Sequence, residues 1–293
     1  MVKKLSPLWV ALAGILWGAM GLFVRKYNTF GVEAMSVVFI RSLFTSVITA
    51  LVCLVYDRRL MKIRLGDIWI FAGMGLLSIV FFNYCYFSAI NIMSMSAAAI
   101  LLYTSPVFVS IFSALFFKEK ITCKRVISII LSIAGLAFVT GIIGGSTAVT
   151  YSGILYGIGS AVGYALYSIF NRAAINKGYG ALTTIFYGFT FSALCSVFLS
   201  DLHSIGNMLS ADPSMLPYSL LFALVISVLP YFFYAVGLKG MENSKAAVIA
   251  SIEPVSASLI GLFVFHEAPT ALAVFGMILV LLSIVISIDL TEK

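Results

Sequence analysis

YTSPVFVSIFSALFFKEKIT (residues 103–122) and SIEPVSASLIGLFVFHEAPT (residues 251–270) fall into register when the chain is slid against itself by 148 positions. Across residues 81–122 and their partners, eleven of 42 positions are identical: Tyr86/Tyr234, Met93/Met241, Ser96/Ser244, Ala98/Ala246, Ala99/Ala247, Pro106/Pro254, Val107/Val255, Ser110/Ser258, Phe117/Phe265, Glu119/Glu267 and Thr122/Thr270. Matches at Pro, Glu and Tyr make this a repeat rather than a coincidence of apolar composition. An offset of 147 likewise pairs Phe23-Val24-Arg25 with Phe170-Asn171-Arg172. The chain therefore divides into two copies, 1–145 and 146–293.

The medium in which these copies fold follows from composition. Of 293 residues, 62% are hydrophobic and 10% charged, with a mean hydropathy of +1.12, far above a soluble domain. Ten apolar runs, at 8–24, 35–56, 68–90, 96–117, 126–143, 151–171, 181–199, 216–238, 244–265 and 271–288, are long enough to cross a hydrocarbon core of roughly 30 Å as helices. Backbone in lipid must satisfy its own hydrogen bonds, which helices do within one segment. The alternating short strands of a barrel are absent from the pattern. The expected fold is all-α and polytopic, ten spans with no soluble domain. Too few apolar residues precede Ala11-Leu12-Ala13 to make it a cleaved signal, so the first run reads as a retained helix.

A net charge of +7 would suggest nucleic acid in a soluble chain. Here topology accounts for it. With the N-terminus inside, fifteen of the eighteen Lys and Arg fall in cytoplasmic segments, two (Arg25 and Lys26) outside, and Arg41 within the second run. That asymmetry orients the chain with both termini cytoplasmic, in a bacterial plasma membrane. Each copy then holds five spans, an odd number, so the second enters the membrane from the opposite side. Inverted repeats of this kind are typical of secondary transporters: exchanging the conformations of the two halves converts an outward-open cavity into an inward-open one.

Proline followed thirteen residues later by glutamate in both copies, with LWGAMGLFVRK (16–26) in the first helix and IRSLF (40–44) in the second, resembles the EamA family of the drug/metabolite transporter superfamily. The resemblance covers both repeats. It implies a carrier whose relatives export amino acids and other metabolites or take up small cations and cofactors, and it matches Glu119 and Glu267 to the family's helix-end glutamate. Capping or gating is the expected role of those two.

Glu253 is the one acidic residue near mid-membrane, about nine residues or ~13 Å along its helix. A lone carboxylate there costs several kcal/mol unless protonated, paired or wet. Three roles suit it: a proton-exchanging site, a counter-ion to a substrate ammonium, or a structural hydrogen bond to a neighbouring helix. Its repeat partner is Ser105, so only one half carries it. Pro106 and Pro254 occupy equivalent places and each removes a backbone donor, which predicts two bent helices shaping a cavity. Arg41 either faces inward, where it would bind a carboxylate or pair with Glu253, or extends to the headgroups. Most aromatics are packing or lipid contact, but a mid-membrane tyrosine hydroxyl needs a partner. Tyr86, Tyr234, Tyr103, Tyr164, Tyr167, Asn83 and Trp17 are the expected cavity lining. Tyrosines around one carboxylate suit an organic cation, and with Arg41 facing in they suit a zwitterionic amino acid.

Gly14…Gly18 and Gly159…Gly163 are small-xxx-small pairs that allow close helix approach. Residues 201–215, the longest connection, leave room for a short interfacial helix. Cys53, Cys85, Cys123 and Cys195 show no CxxC spacing, and no metal or cofactor motif is present. No Ser/His/Asp arrangement or phosphate-cradling loop suggests an enzyme. The expected partners are a small-molecule substrate, the lipid bilayer and, for a coupled carrier, protons. Several buried Arg or Lys would be needed for a phosphorylated substrate, and only Arg41 is available. A channel would show a repeated polar filter, which the asymmetry between the halves does not provide. A non-transporting membrane scaffold has no use for Glu253 at depth.

Overall fold

A computed structural model describes residues 2–142, 150–266 and 269–288, and every described element is helical. Eight helices are long and apolar enough to cross a membrane: α1 (Leu5–Asn28), α2 (Ala34–Tyr56), α3 (Leu65–Ile92), α4 (Ala97–Phe117), α6 (Tyr151–Asn176), α7 (Ala181–Leu199), α9 (Met215–Leu238) and α10 (Asn243–Phe265). The two remaining apolar runs form α5 (Cys123–Val139) and α11 (Ala271–Ser287), 17 residues each. At 1.5 Å per residue that is about 25 Å, somewhat less than a hydrocarbon core. Helix α5 starts three residues earlier than the hydropathy run because the Thr122 hydroxyl accepts the Arg125 N–H at 3.3 Å and fixes the first turn. Cys123 is thus the first residue of a helix. Thr270 caps α11 in the same way, accepting from Ala273 N–H at 3.2 Å.

Helix α2 shows how these sequences fold in lipid. Its large apolar side chains Leu43, Val47, Leu51 and Val55 recur every four residues and are exposed, while Arg41, Ser42, Thr45 and Thr49 are buried. Apolar residues face out and polar residues face in because lipid competes for the former and not for the latter. The inward hydroxyls join α2 to α7: Ser42 Oγ lies 2.8 Å from Ser192 Oγ, and Ser46 Oγ 2.6 Å from Thr190 Oγ1.

Glycines set the closest approaches. A Cβ on Gly18 of α1 would lie 2.6 Å from the Glu253 carbonyl oxygen, and one on Gly14 would lie 2.7 Å from Ile252 Cγ2. The first small-xxx-small pair therefore seats α1 directly on the break in α10. Gly163 plays the same part for α6 against α3, where a Cβ would sit 2.9 Å from Phe82 Cβ. Helices α5 and α11 cross at Gly135, where a Cβ would lie 2.7 Å from the Gly276 carbonyl.

Helices α4 and α10 are broken in mid-course. Helix α4 lies in a segment that begins as Met95–Leu102, turns through residues 103–104, and resumes as Ser105–Phe117. Helix α10 runs Asn243–Ala250, turns through 251–252, and resumes as Glu253–Phe265. The bounds repeat at the 148-residue spacing. At each break the chain tightens into i→i−3 bonds, Thr104 N–H to Leu101 O at 3.1 Å and Ser251 N–H to Val248 O at 3.1 Å. Pro106 and Pro254 then lie in the first turn of a new segment, where a missing N–H costs little. Helices α3 and α9 each contain a π-helical stretch, Met74–Phe81 and Leu224–Val228, at corresponding places. The 201–215 connection forms α8 (Leu202–Ala211), whose N-terminus is capped by Asp201 Oδ1 accepting from the N–H groups of His203 and Ser204.

Candidate functional site

The breaks, the π stretches and the glycine contacts meet at the centre of the bundle. Because α10 restarts there, Glu253 stands in the first turn of a half-helix whose N-terminal dipole end favours negative charge. The Tyr164 hydroxyl donates to Glu253 Oε2 at 3.2 Å, and Tyr103, from the break in α4, lies close to the same carboxylate. One carboxylate is thus held by a helix end and by a tyrosine from α6, with a tyrosine from α4 nearby.

Beside it lies a cavity lined by Trp17, Ser78, Phe82, Tyr164, Tyr167, Ser168, Tyr231 and Tyr234. Its volume of 20 Å³ holds about one water molecule. The rings are edge-packed: Trp17 stands 5.2 Å from Tyr231 and 6.3 Å from Tyr164 between centroids, and Tyr167 stands 4.8 Å from Tyr231. Hydroxyls on the far side are engaged within the protein, Tyr234 with Ser168 at 2.5 Å and Tyr167 accepting from Asn171 Nδ2 at 3.0 Å. Trp17 Nε1 and Ser78 Oγ, both buried on the cavity wall, have no protein partner. Buried polar atoms without a protein partner on a cavity wall are places where a ligand or water can supply one.

A second cavity of 40 Å³ is lined by Arg41 and Asn83 together with Met20, Val24, Asn28, Ala34, Val37, Val38, Phe87 and Phe222. Arg41 is 3% exposed, so its guanidinium is covered by protein rather than turned to headgroups, and its Nη2 has no hydrogen-bond partner. Asn83 Nδ2 donates to the Ile79 carbonyl at 2.7 Å, within the π stretch of α3.

The expected lining residues are therefore divided. Trp17, Tyr164, Tyr167 and Tyr234 share the first cavity, Arg41 and Asn83 the second, and Tyr103 lies close to the carboxylate. Tyr86 makes no direct bond to that carboxylate; it is within electrostatic range of Glu253 and packs on Phe82 at 6.3 Å. Ser78, Phe82, Ser168 and Tyr231 line the first cavity without having been singled out. Tyr231 was within reach of sequence reasoning, being three residues before Tyr234 on one helix face. Ser78 was not, being a single small residue in an apolar run; it lies within the π stretch of α3.

At one end of the bundle Glu119 crosses between halves. Its Oε1 accepts the Asn243 N–H at 2.9 Å, and its Oε2 the Ser244 hydroxyl at 2.6 Å and N–H at 3.3 Å. It caps the start of α10, for which the local residue Glu242 provides no cap. Arg125 pairs with Glu242 and lies 3.9 Å from Glu119, and Arg172 bonds Asn243 Oδ1 at 2.8 Å and the Met241 carbonyl. At the other end Tyr27 donates to Ser219 Oγ at 2.7 Å inside an apolar cluster with Met208, Met215 and Phe222. Arg25, the repeat partner of Arg172, covers the Phe265 ring at 3.7 Å there. Glu267 lies outside the described residues.

Comparison with known proteins agrees with this architecture. The EamA-like transporter family matches residues 4–141 and again 151–288. An uncharacterized transporter from Archaeoglobus fulgidus is 27% identical over 280 residues, 95% of this chain and 94% of its own. The uncharacterized transporter YdfC of Bacillus subtilis is 28% identical over 74% of this chain and 71% of its own. A solved crystal structure superposes with a TM-score of 0.79 over 98% of this chain and 97% of its own at 17% identity, which is a shared fold. Two profile matches that together span nearly the whole chain, over an all-helical bundle with broken central helices, make this protein a member of the EamA-like transporter family.

Proposed function

We propose that this chain is a secondary carrier of small metabolites that works by alternating access, with amino-acid export across the plasma membrane as its activity. In this reading residues 1–145 and 146–293 are inverted five-helix repeats, α5 and α11 complete ten spans, and both termini are cytoplasmic. The observation that carries it is the central carboxylate: Glu253 at a half-helix N-terminus, bonded by Tyr164 and beside an aromatic cavity too small for a metabolite. Broken helices with a binding group at the break, near the midplane and between repeats, are how such carriers hold a substrate.

In this reading the small volume corresponds to an occluded state. On the same reading the Glu119 and Arg125 network forms the closure at one end and the Tyr27 cluster the closure at the other. A carrier opens one closure while keeping the other, and substrate binding shifts that balance only through its differential affinity for the two states. Glu253 acts as counter-ion to the substrate ammonium or as the protonation site for coupling. The crowding of Trp17, Tyr164 and Tyr231 also favours a second reading, a carrier of quaternary-amine or other organic cations.

The test is flux in proteoliposomes. Saturable uptake with counterflow is expected, and E253Q should abolish proton-driven accumulation. Conductance far above carrier turnover would reject the carrier reading, and intact exchange together with intact proton-driven accumulation in E253Q would remove Glu253 from the mechanism.

A further inference from the structure

Arg41 is the one Lys or Arg of α2, and α7, which holds the corresponding place in the second half, has none. The symmetry of the scaffold does not require it, yet it is 3% exposed, so a charge is kept inside a membrane span. Among the described residues no carboxylate pairs with it, and Glu253 is within electrostatic range without bonding to it. Its Nη2 has no hydrogen-bond partner in the protein. A guanidinium so placed is costly twice over, for the missing bond and for the uncompensated charge.

Arg41 lines the second cavity, whose 40 Å³ has room for about two or three water-sized occupants. Asn83 lines it too, is equally buried, and has a second amide hydrogen to give after bonding the Ile79 carbonyl. Asn28, the last residue of α1, is exposed and completes the polar part of the wall, giving an ion a polar way in. Among the described residues none that lines the cavity is acidic, and the rest of the wall is apolar. Donors without acceptors around a small void select an anion, because water would satisfy the bond but not the charge. The volume excludes a metabolite, and one guanidinium does not neutralise a divalent ion.

We propose that this cavity is a binding site for a chloride-sized monovalent anion, held by Arg41 and Asn83 and separate from the central carboxylate. It shares no lining residue with the cavity beside Glu253. Met20, Val24, Val37 and Phe222 belong both to its wall and to the apolar cluster around Tyr27. The anion therefore sits against that cluster and ties α1 and α2 of the first half to α9 of the second. Occupancy stabilises the packing at that end of the bundle, since a ligand that binds only the folded arrangement favours it by mass action.

The test is thermal unfolding of the purified protein at fixed ionic strength, with chloride or bromide replaced by gluconate, sulfate or acetate. Chloride and bromide should raise Tm saturably by about 3 °C or more over gluconate, and R41M should lose the rise. No saturable halide rise, or the same rise in R41M, would overturn the site. Acetate matching chloride would make the bound group a carboxylate and overturn the halide assignment. Wild-type crystals grown in bromide give a readout that needs no variant, should R41M fail to fold. Anomalous density beside Arg41 Nη2 is expected there, and bromide at surface positions only would refute the site. Neither measurement involves transport, so absent amino-acid flux leaves the anion site standing, and an empty cavity leaves the carrier reading standing.

Discussion

At the scale of single residues, Tyr164 is the most informative neighbour of Glu253. Its hydroxyl donates to the carboxylate at 3.2 Å while its ring packs on Trp17 and Phe82. Y164F keeps the ring and removes the donor. A hydrogen bond to a charged group contributes about 1.5–3 kcal/mol, so substrate affinity in Y164F should fall roughly tenfold or more. Y86F, which removes a hydroxyl with no direct bond to Glu253, is the control and should change affinity less than twofold. Equal losses in counterflow KM for the two variants would mean that the hydroxyl bond to Glu253 is not part of the site. Of these residues, Glu253 stood out in the sequence because a lone acid in apolar surroundings is costly. Tyr164 was one of several tyrosines, and only packing selects it.

At the scale of elements, the second half of α4 and the start of α10 are joined by a cap supplied in trans. Lys118, at φ 59°, ends α4 in the left-handed region, and the chain reverses there so that Glu119 reaches Asn243 and Ser244. His266, at φ 56°, ends α10 at the equivalent position. A non-glycine residue in that region costs about a kcal/mol, which the turn must offset. E119Q keeps one acceptor and loses the charge facing the helix N-terminus and Arg125; E119A loses both. Caps contribute about 0.5–2 kcal/mol, enough to shift a closed-to-open equilibrium roughly two- to thirtyfold. In E119A a cysteine introduced as S168C should become more reactive to maleimide from the Glu119 end, with E119Q intermediate. Unchanged reactivity in both would show that Glu119 braces the fold without holding the closure.

For the whole molecule, the two ends gather different residues. Asp67, Lys177, Arg125, Glu242 and Arg172 pair at the end the charge count assigns to the cytoplasm: Lys177 Nζ is 3.3 Å from Asp67 Oδ1, and Tyr179 donates to Asp67 Oδ2 at 2.8 Å. Lys26 covers the Tyr218 ring at 4.6 Å, and the Asp201 N–H donates to Ser36 at 2.9 Å, at the other end. Cys123 is exposed, whereas Cys53 and Cys85 are buried. An impermeant maleimide should therefore label inverted vesicles and leave right-side-out vesicles nearly unlabelled, with the signal lost in C123S. Strong C123S-sensitive labelling of right-side-out vesicles would reverse the orientation.

The sequence by itself determined the medium, the helices and the repeat. Hydropathy, the spacing of Pro106 and Pro254, and Glu253 without a counterpart are local facts, each with a cost in lipid that the residue carries wherever it is packed. The family resemblance followed from the same motifs. Tertiary structure alone decided which groups meet: Tyr164 on the carboxylate, Ser78 on the cavity wall, Arg41 covered by protein, and Glu119 spent on a helix from the other half. Those depend on how close the helices come, and closeness is set by small contacts such as Gly18 against Glu253 that pairwise spacing along the chain does not encode.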